Sequence, residues 1–164
     1  MKRTVKILTS SAAALALLLL AGASAQAATA TGTLTVTASV AKQCSLGSPT
    51  LAFGAYDPTS PTPLDVNASL TVNCTKTTPF TIGLSLGANA VTTNRFMKDP
   101  VSADTLQYEL YTSAARTTVW NSTNTVAGVG VTNPSETIFG RIPAGQFVTP
   151  AAGYSDTVTA TINF

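Results

Sequence analysis

Cys44 and Cys74 are the two cysteines of the chain and its strongest candidates for covalent or metal chemistry. The 164-residue chain contains no histidine. Ser-His-Asp and Cys-His catalysis both need an imidazole base, so both are excluded. Two cysteines without histidine also cannot form a zinc site of the usual Cys/His kinds. A structural disulfide and a free reactive thiol are the alternatives that remain.

The seven acidic residues show no catalytic pattern. A glycosidase needs two carboxylates that face each other across a cleft. Most of these acids stand beside turn-forming residues, where Asp serves the geometry of the turn, and the glutamate at position 109 falls on the polar face of a predicted strand. We therefore expect a solvated surface role for each of the seven and no enzymatic activity. They are Asp57, Asp65, Asp99, Asp104, Glu109, Glu136 and Asp156.

Phosphate and nucleic-acid binding are not indicated either. Gly128-Val129-Gly130 is interpreted as a turn or a strand kink, because it lacks the spacing of a nucleotide-binding loop. Charged residues make up 10% of the chain, against a usual value of about 25%, and no basic patch is present. We expect no cofactor, no metal ion, no nucleic-acid partner and no small-molecule substrate.

The first 25 residues have the three-part pattern of a secretory signal peptide. Lys2, Arg3 and Lys6 are followed by an apolar run over residues 12–21 and by overlapping A-x-A sites over residues 23–27. The alternative is a membrane anchor, but the run is about half of the ~20 residues that a spanning helix needs. In an exported protein one disulfide is the simplest state of two cysteines. In the chain-entropy model, closing a loop of this length stabilises the fold by about 3–4 kcal/mol.

The rest of the chain shows the alternation of polar and apolar residues that is typical of strands. It is longest over residues 29–40, where Ala30, Gly32, Leu34 and Val36 share the apolar face. The same period predicts strands over residues 69–74, 80–86, 106–111 and 157–164, and weaker ones near 50–53, 117–121, 136–141 and 146–148. No segment predicts an amphipathic helix of three turns. Many short strands separated by turn residues predict an all-β, two-sheet sandwich in a single domain.

The two ends of this sandwich are unusual. The alternating segment from residue 29 to Cys44 is far longer than the usual strand of about 5–6 residues, and the final predicted strand runs to Phe164. One interpretation is a separate strand over residues 26–37, followed by a domain over 38–164 that lacks its last strand. Such a domain exposes an unpaired edge and part of its core, which suggests strand donation between subunits. The alternative is that residues 29–36 form a long first strand of their own sandwich.

A series of short motifs supports a resemblance to a known family. In chain order they are residues 40–44 (VAKQC), 51–54 (LAFG), 70–74 (LTVNC), 80–82 (FTI), 95–97 (RFM), 106–111 (LQYELY), 114–116 (AAR), Trp120, 138–143 (IFGRIP) and 153–164 (GYSDTVTATINF). In this order and with this cysteine spacing, the chain resembles the spore coat protein U domain family. That family includes the pilins of the archaic, Csu-type chaperone–usher pathway.

The resemblance implies an incomplete immunoglobulin-like β-sandwich that is completed by a donor strand. It implies that Ala30, Gly32, Leu34 and Val36 enter the groove of a neighbouring subunit. It also implies partners: other pilus subunits, in a homopolymer or a heteropolymer, a periplasmic chaperone that holds the subunit near Phe164, and an outer-membrane usher. The residues expected to line the acceptor groove are Leu106, Tyr108, Val158, Ala160, Ile162 and Phe164.

The function expected from this resemblance is that of a structural subunit, exported through the periplasm, of a surface pilus that supports adhesion and biofilm formation. A structural protein of a spore or outer coat is an alternative within the same family. A self-contained secreted binding domain is a third reading, in which Trp120 and Phe147 are candidate surface contacts. A tip adhesin with an added receptor-binding domain is disfavoured because the chain has room for one sandwich.

Overall fold

The structure is a computed structural model, and it describes residues 27–130 and 135–164. The predicted signal peptide, residues 1–25, lies outside the described residues. The chain divides after Ala38 into two units, of which residues 39–164 form the larger. Within the described ranges, no helix is both long enough and apolar enough to cross a membrane.

Eight strands make up the larger unit, and the described residues contain no helix. The strands are β1 (Cys44–Leu46), β2 (Leu64–Cys74), β3 (Pro79–Leu84), β4 (Arg95–Lys98), β5 (Thr105–Tyr111), β6 (Val126–Val129), β7 (Ser135–Ile142) and β8 (Ala160–Asn163). The prediction of an all-β fold is confirmed.

The strands form two sheets, and every strand pairing is antiparallel. The first sheet has the order β1-β2-β7-β5-β4, and the second has the order β6-β3-β8. Two antiparallel sheets that share one core are consistent with an immunoglobulin-like sandwich. In the second sheet β3 is central, so β6 and β8 are its edges.

Apolar and polar side chains alternate along the longest strands, and the apolar ones form the hydrophobic core. In β2, Leu70 and Val72 are buried while Ser69 and Thr71 between them are exposed. In β7, Ile138 and Ile142 are buried in the same way. Trp120 is fully buried, and its Nε1 donates a 2.8 Å hydrogen bond to the Ile82 carbonyl, which satisfies the one polar group of the indole.

Several of the weaker strand predictions are wrong. Residues 50–53, 117–121 and 146–148 are described but belong to no strand. Residues 50–53 still contribute Leu51 and Phe53, which pack against the core. The strands β4 and β6 were not predicted, because each has only four residues and β4 begins with an inward-facing arginine.

The expected solvated role of Glu109 is also wrong. Glu109 is 8% exposed and Arg95 is fully buried, and the Arg95 Nη1 lies 3.0 Å from the Glu109 Oε2. Arg95 also donates to the carbonyl oxygens of Ser85, at 2.6 Å, and Trp120, at 2.7 Å. Because Arg95 lies on β4 of the first sheet and Ser85 directly follows β3 of the second, this side chain connects the two sheets through the core.

Asp99 departs from the same expectation. It is 2% exposed, and its Oδ2 accepts hydrogen bonds from the backbone and the hydroxyl of Ser102. These bonds lower the pKa of the Asp99 carboxyl below its ordinary value. Asp99 therefore shapes the turn between β4 and β5 rather than facing solvent.

Candidate functional site

The segment that leads into β8 has one occupied edge and one open edge. The carbonyl oxygens of Thr157 and Thr159 accept hydrogen bonds from the Ala88 and Ser85 amides, at 3.1 and 2.8 Å. Successive residues of an extended strand direct their backbone groups to opposite edges. Residues 156, 158, 160 and 162 therefore turn their N–H and C=O groups to the other edge, and no strand among the described residues pairs with them there.

Side chains along the same segment alternate between the core and the solvent. The inward set is at least half-buried, and the residues between are exposed. An open strand edge that carries an inward apolar face can receive an added strand. The inward set is Tyr154, Asp156, Val158, Ala160 and Ile162.

Two adjoining cavities of about 790 Å³ and about 650 Å³ lie beside this open edge. They share Leu51, Phe53, Met97 and Tyr154 as lining residues, and we call the two together the groove. The four shared residues make the two cavities neighbours. The first is lined by residues from 46–53 and 154–160, and the second by residues from 51–58 and 148–154.

The floor of the groove is the hydrophobic core itself. Leu84, Leu110 and Ile138 are each at most 7% exposed, and all three line the first cavity. Leu106 and Ile142, at 4% and 1% exposed, line the second. Core side chains from both sheets are therefore reachable from this opening, and a side chain that enters it would contact them.

The structure brings four of the six predicted acceptor residues to the groove. Tyr108, Val158 and Ala160 line the first cavity, and Leu106 lines the second. Ile162 faces inward and packs against the core but lines neither cavity. Phe164 is 53% exposed and also lines neither.

The shared lining residues were missed by sequence reasoning. Leu51 and Phe53 alternate with exposed neighbours, and that signal was interpreted as a weak strand rather than as a groove wall. The Phe53 ring stands edge-on to Tyr108, with ring centroids 6.1 Å apart. No signal identifies Met97 and Tyr154, because their proximity depends on how β4 pairs with the segment before β8.

A polar contact lies within the groove. The Tyr108 hydroxyl donates a 2.7 Å hydrogen bond to the Asp156 Oδ2, and both residues line the first cavity. Burial, and then this bond to the carboxylate, raise the pKa of the Tyr108 phenol. The phenol stays protonated and remains a donor at any pH at which the protein would be handled.

The wall opposite β8 is held by a disulfide. Cys44 of β1 and Cys74 of β2 are joined, with an S–S distance of 2.03 Å, so the predicted disulfide is confirmed. The Gly47 amide also donates to the Thr71 carbonyl at 2.9 Å. These links attach the start of the 46–56 wall to the first sheet.

The predicted donor residues lie in the first unit. Residues 27–38 belong to no strand, and all of them are exposed. Leu34 and Val36 are 85% and 81% exposed, although they are large apolar residues. Ala30 and Gly32 complete the apolar face of this segment. Leu34 and Val36 occupy alternate positions, so an extended conformation places both side chains on one face.

The comparison with protein families shows which family the chain belongs to. The sequence model of the Spore Coat Protein U domain matches residues 30–161. The chain belongs to this family. The match covers the described sandwich from before β1 into β8, and also part of the exposed apolar segment. The family is one of structural, non-enzymatic proteins, so the prediction that the chain is not an enzyme is confirmed.

Two individual proteins illustrate the relationship. Protein U of Myxococcus xanthus is 39% identical over 146 residues, which cover 77% of this chain and 80% of that protein. A solved structure, the chaperone–tip adhesion subunit pre-assembly complex CsuC–CsuE from archaic chaperone-usher Csu pili of Acinetobacter baumannii, matches with a TM-score of 0.55. At 20% identity it shows the shared fold alone. The match covers 76% of this chain and 40% of the Acinetobacter chain.

Proposed function

We propose that this Spore Coat Protein U domain chain is a secreted structural subunit that polymerises by donor-strand exchange into an archaic chaperone–usher pilus. The observation that carries the proposal is the groove, which is floored by apolar core side chains and whose first cavity is bordered by an unpaired strand edge. In this proposal the sandwich is incomplete, and an apolar strand from a neighbouring subunit completes it.

The chain itself contains a segment with the matching chemistry. A strand that carries Leu34 and Val36 on one face presents two aliphatic groups to an apolar groove. Burial of each such side chain is worth about 1.5–3 kcal/mol. The open edge at residues 156, 158, 160 and 162 offers main-chain partners, and each net hydrogen bond adds about 0.5–1.5 kcal/mol.

The partners follow from this assembly. Before polymerisation an open edge of this kind is an aggregation hazard, so we propose that a periplasmic chaperone covers it, with a contact near Phe164. An outer-membrane usher then exchanges the chaperone for the next subunit. The finished fibre lies on the cell surface and supports adhesion and biofilm formation.

The test is a gel of unboiled surface extract from cells that make the wild type or the Leu34→Asp variant. We expect a ladder of detergent-resistant multimers for the wild type, which heating collapses to monomer. Leu34→Asp should give only monomer or degraded chain, because a carboxylate cannot enter an apolar groove unpaired. The matched control is Thr33→Asp, which places the same charge one residue earlier, on the polar face, and should keep the ladder.

Two outcomes would contradict the proposal. A wild type that runs as monomer in surface extract has no strand-exchanged polymer. An equal loss of multimers in Leu34→Asp and Thr33→Asp would mean that charge in this region, rather than the apolar face, is what matters. The first result would favour a self-contained secreted binding domain, and the second would favour subunit association that does not use the apolar face of the segment.

A structural protein of a spore or outer coat is the second candidate. It is favoured by the description of the family and by the 39% identity to Protein U, which exceeds the identity to the pilus structure. Electron microscopy of immunogold-labelled cells separates the two, because a pilus places the label on thin fibres and a coat places it on a continuous layer.

A further inference from the structure

Asp156 is a charged residue among the inward-facing side chains that border the groove, and this position requires an explanation. It belongs to the inward set of the segment before β8, between Tyr154 and Val158. A carboxylate on the apolar face of a strand costs free energy unless its oxygens are fully bonded. Asp156 meets that requirement, and the positions of its partners indicate what it does.

The two carboxylate oxygens of Asp156 bind a strand and a loop, respectively. Oδ2 accepts from the hydroxyl of Tyr108, which lies on β5 of the first sheet. Oδ1 accepts from the Ala88 amide at 2.9 Å, the Asn89 amide at 3.1 Å and the Asn89 Nδ2 at 3.0 Å. Ala88 and Asn89 lie in the loop from β3 of the second sheet to β4 of the first, so one side chain connects β5 to this loop at the edge of the groove.

The loop that binds Asp156 is shaped to receive it. Gly87 has a φ of +92°, a left-handed backbone conformation that side-chain-bearing residues rarely adopt. A Cβ at this position would overlap the Asp156 carboxylate. Glycine therefore lets the backbone approach closely enough for two successive amides to point at one oxygen, as in other anion-binding turns.

From this geometry we infer that Asp156 is a positioning residue that holds the groove open in the form an incoming strand requires. The inference rests on the proposed function. Partly exposed apolar lining residues such as Leu51, Phe53 and Met97 favour closure of an empty groove, because closure removes their surface from water. The bonds from Asp156 to Tyr108 and to the 87–89 loop fix the spacing between β5 and the 154–160 wall against that tendency. A preformed groove lowers the ordering cost of strand binding.

The test measures binding of a fluorescent peptide of residues 27–42 to the full chain carrying Leu34→Asp, whose own segment cannot compete for the groove. In this background we expect Asp156→Ala to weaken peptide binding by at least about tenfold, the loss expected for hydrogen bonds to a charged group. Asp156→Asn keeps the shape and several of the bonds, so it should restore most of the affinity. Tyr108→Phe removes the link to the first sheet alone and should lie between these two variants.

The matched control is Asp65→Ala, which removes the ion pairs of Asp65 with Arg141 at 2.7 Å and Arg116 at 3.3 Å, away from the groove. It should change peptide affinity less than about twofold even where it lowers the urea midpoint. Hydrogen exchange at the Ala88 and Asn89 amides, which donate to Asp156, should accelerate in Asp156→Ala and stay unchanged in the control. The peptide affinities of Asp156→Ala and Asp65→Ala can be compared at temperatures that give both variants the same urea midpoint, so that a difference in stability does not affect the comparison.

The outcomes separate this inference from the proposal beneath it. Absence of peptide binding in the Leu34→Asp background itself would overturn the proposed function and this inference with it. Peptide binding that is unaffected by both Asp156→Ala and Tyr108→Phe overturns the inference and leaves strand exchange standing. An equal loss in Asp65→Ala also overturns it, because general destabilisation would then account for the effect. If Asp156→Ala does not fold, Tyr108→Phe alone decides.

Discussion

Arg95 and Glu109 show how single side chains join the two sheets. A guanidinium with no solvent contact must place its N–H groups on protein oxygens, and Arg95 does so on Glu109, Ser85 and Trp120. Removing one member of a buried pair is expensive mainly because the other charge is left without a partner. The Arg95 contact with Ser85 also supports the groove wall, since the Ser85 hydroxyl accepts from the Thr159 amide at 2.9 Å.

Arg95→Met is expected to lower the free energy of unfolding by about 3–5 kcal/mol, because it leaves Glu109 buried and unpaired. Urea unfolding followed by tryptophan fluorescence measures the loss, since Trp120 is the single tryptophan and is fully buried. The control is Arg141→Met, which breaks a partly exposed pair with Asp65 and should cost at most about 1 kcal/mol.

The double variant Arg95→Met with Glu109→Leu should recover much of the lost stability, because both charges are then absent. A loss in Arg95→Met no larger than in Arg141→Met would show that the buried pair contributes little. Neither result could have been anticipated from the sequence. The two residues are 14 positions apart, and only the pairing of β4 with β5 brings them together.

At the scale of elements, the sequence predicts a strand where alternation is long enough to stand out. It succeeds for β2, β3, β5 and β7, in which buried apolar side chains stand at alternate positions, although Gly83 in β3 and Glu109 in β5 are buried between them. It fails for β4 and β6, because four residues contain too few repeats and their pairing is decided by neighbouring strands. The groove was predictable in part for the same reason. Alternation identifies the inward-facing residues, but it does not show that the 46–56 and 154–160 segments stay apart and leave a groove between them.

The connections between strands are held by carboxylates, which makes part of the stability pH-dependent. The Asp104 carboxylate accepts from the hydroxyl and the amide of Thr149, and these bonds lower its pKa below the ordinary 3.8. A depressed folded-state pKa contributes stability that is complete above the unfolded value and is lost as pH falls through the folded value. The contact joins the loop before β5 to residues that border the second cavity.

Asp104→Asn should therefore flatten the decline in unfolding free energy below about pH 4, because the group that titrates is gone. Urea unfolding at a series of pH values gives the slope. Glu136→Gln is the control of opposite sign, since burial raises the pKa of Glu136 and its contribution is lost as pH rises. An acid slope that is unchanged in Asp104→Asn would place the acid sensitivity in other carboxylates.

At the scale of the whole molecule, the proposed assembly is directional. Each subunit would offer one groove and one donor segment, and these are different surfaces, so the contact is heterologous and propagates without closing. Alternation predicts the apolar face of residues 29–40 and the final strand, whereas the donor and acceptor roles are what the family resemblance implies. Association between two copies of the chain depends on protein concentration and on the geometry of both surfaces, and a local sequence pattern contains neither.

Complementary variants test this directionality. Leu34→Asp retains a groove but no working donor, whereas Val158→Arg places a cation in the groove wall and retains the donor. Each should be monomeric alone, and their mixture should form heterodimers and nothing larger, because the pair has one intact groove and one intact segment between them. Native mass spectrometry of the purified chains, mixed in equal amounts, resolves the species. Thr161→Arg, at an exposed position of β8 that lines neither cavity, should polymerise like the wild type. Homodimers of either variant, or longer mixed oligomers, would mean that the subunits associate through another surface.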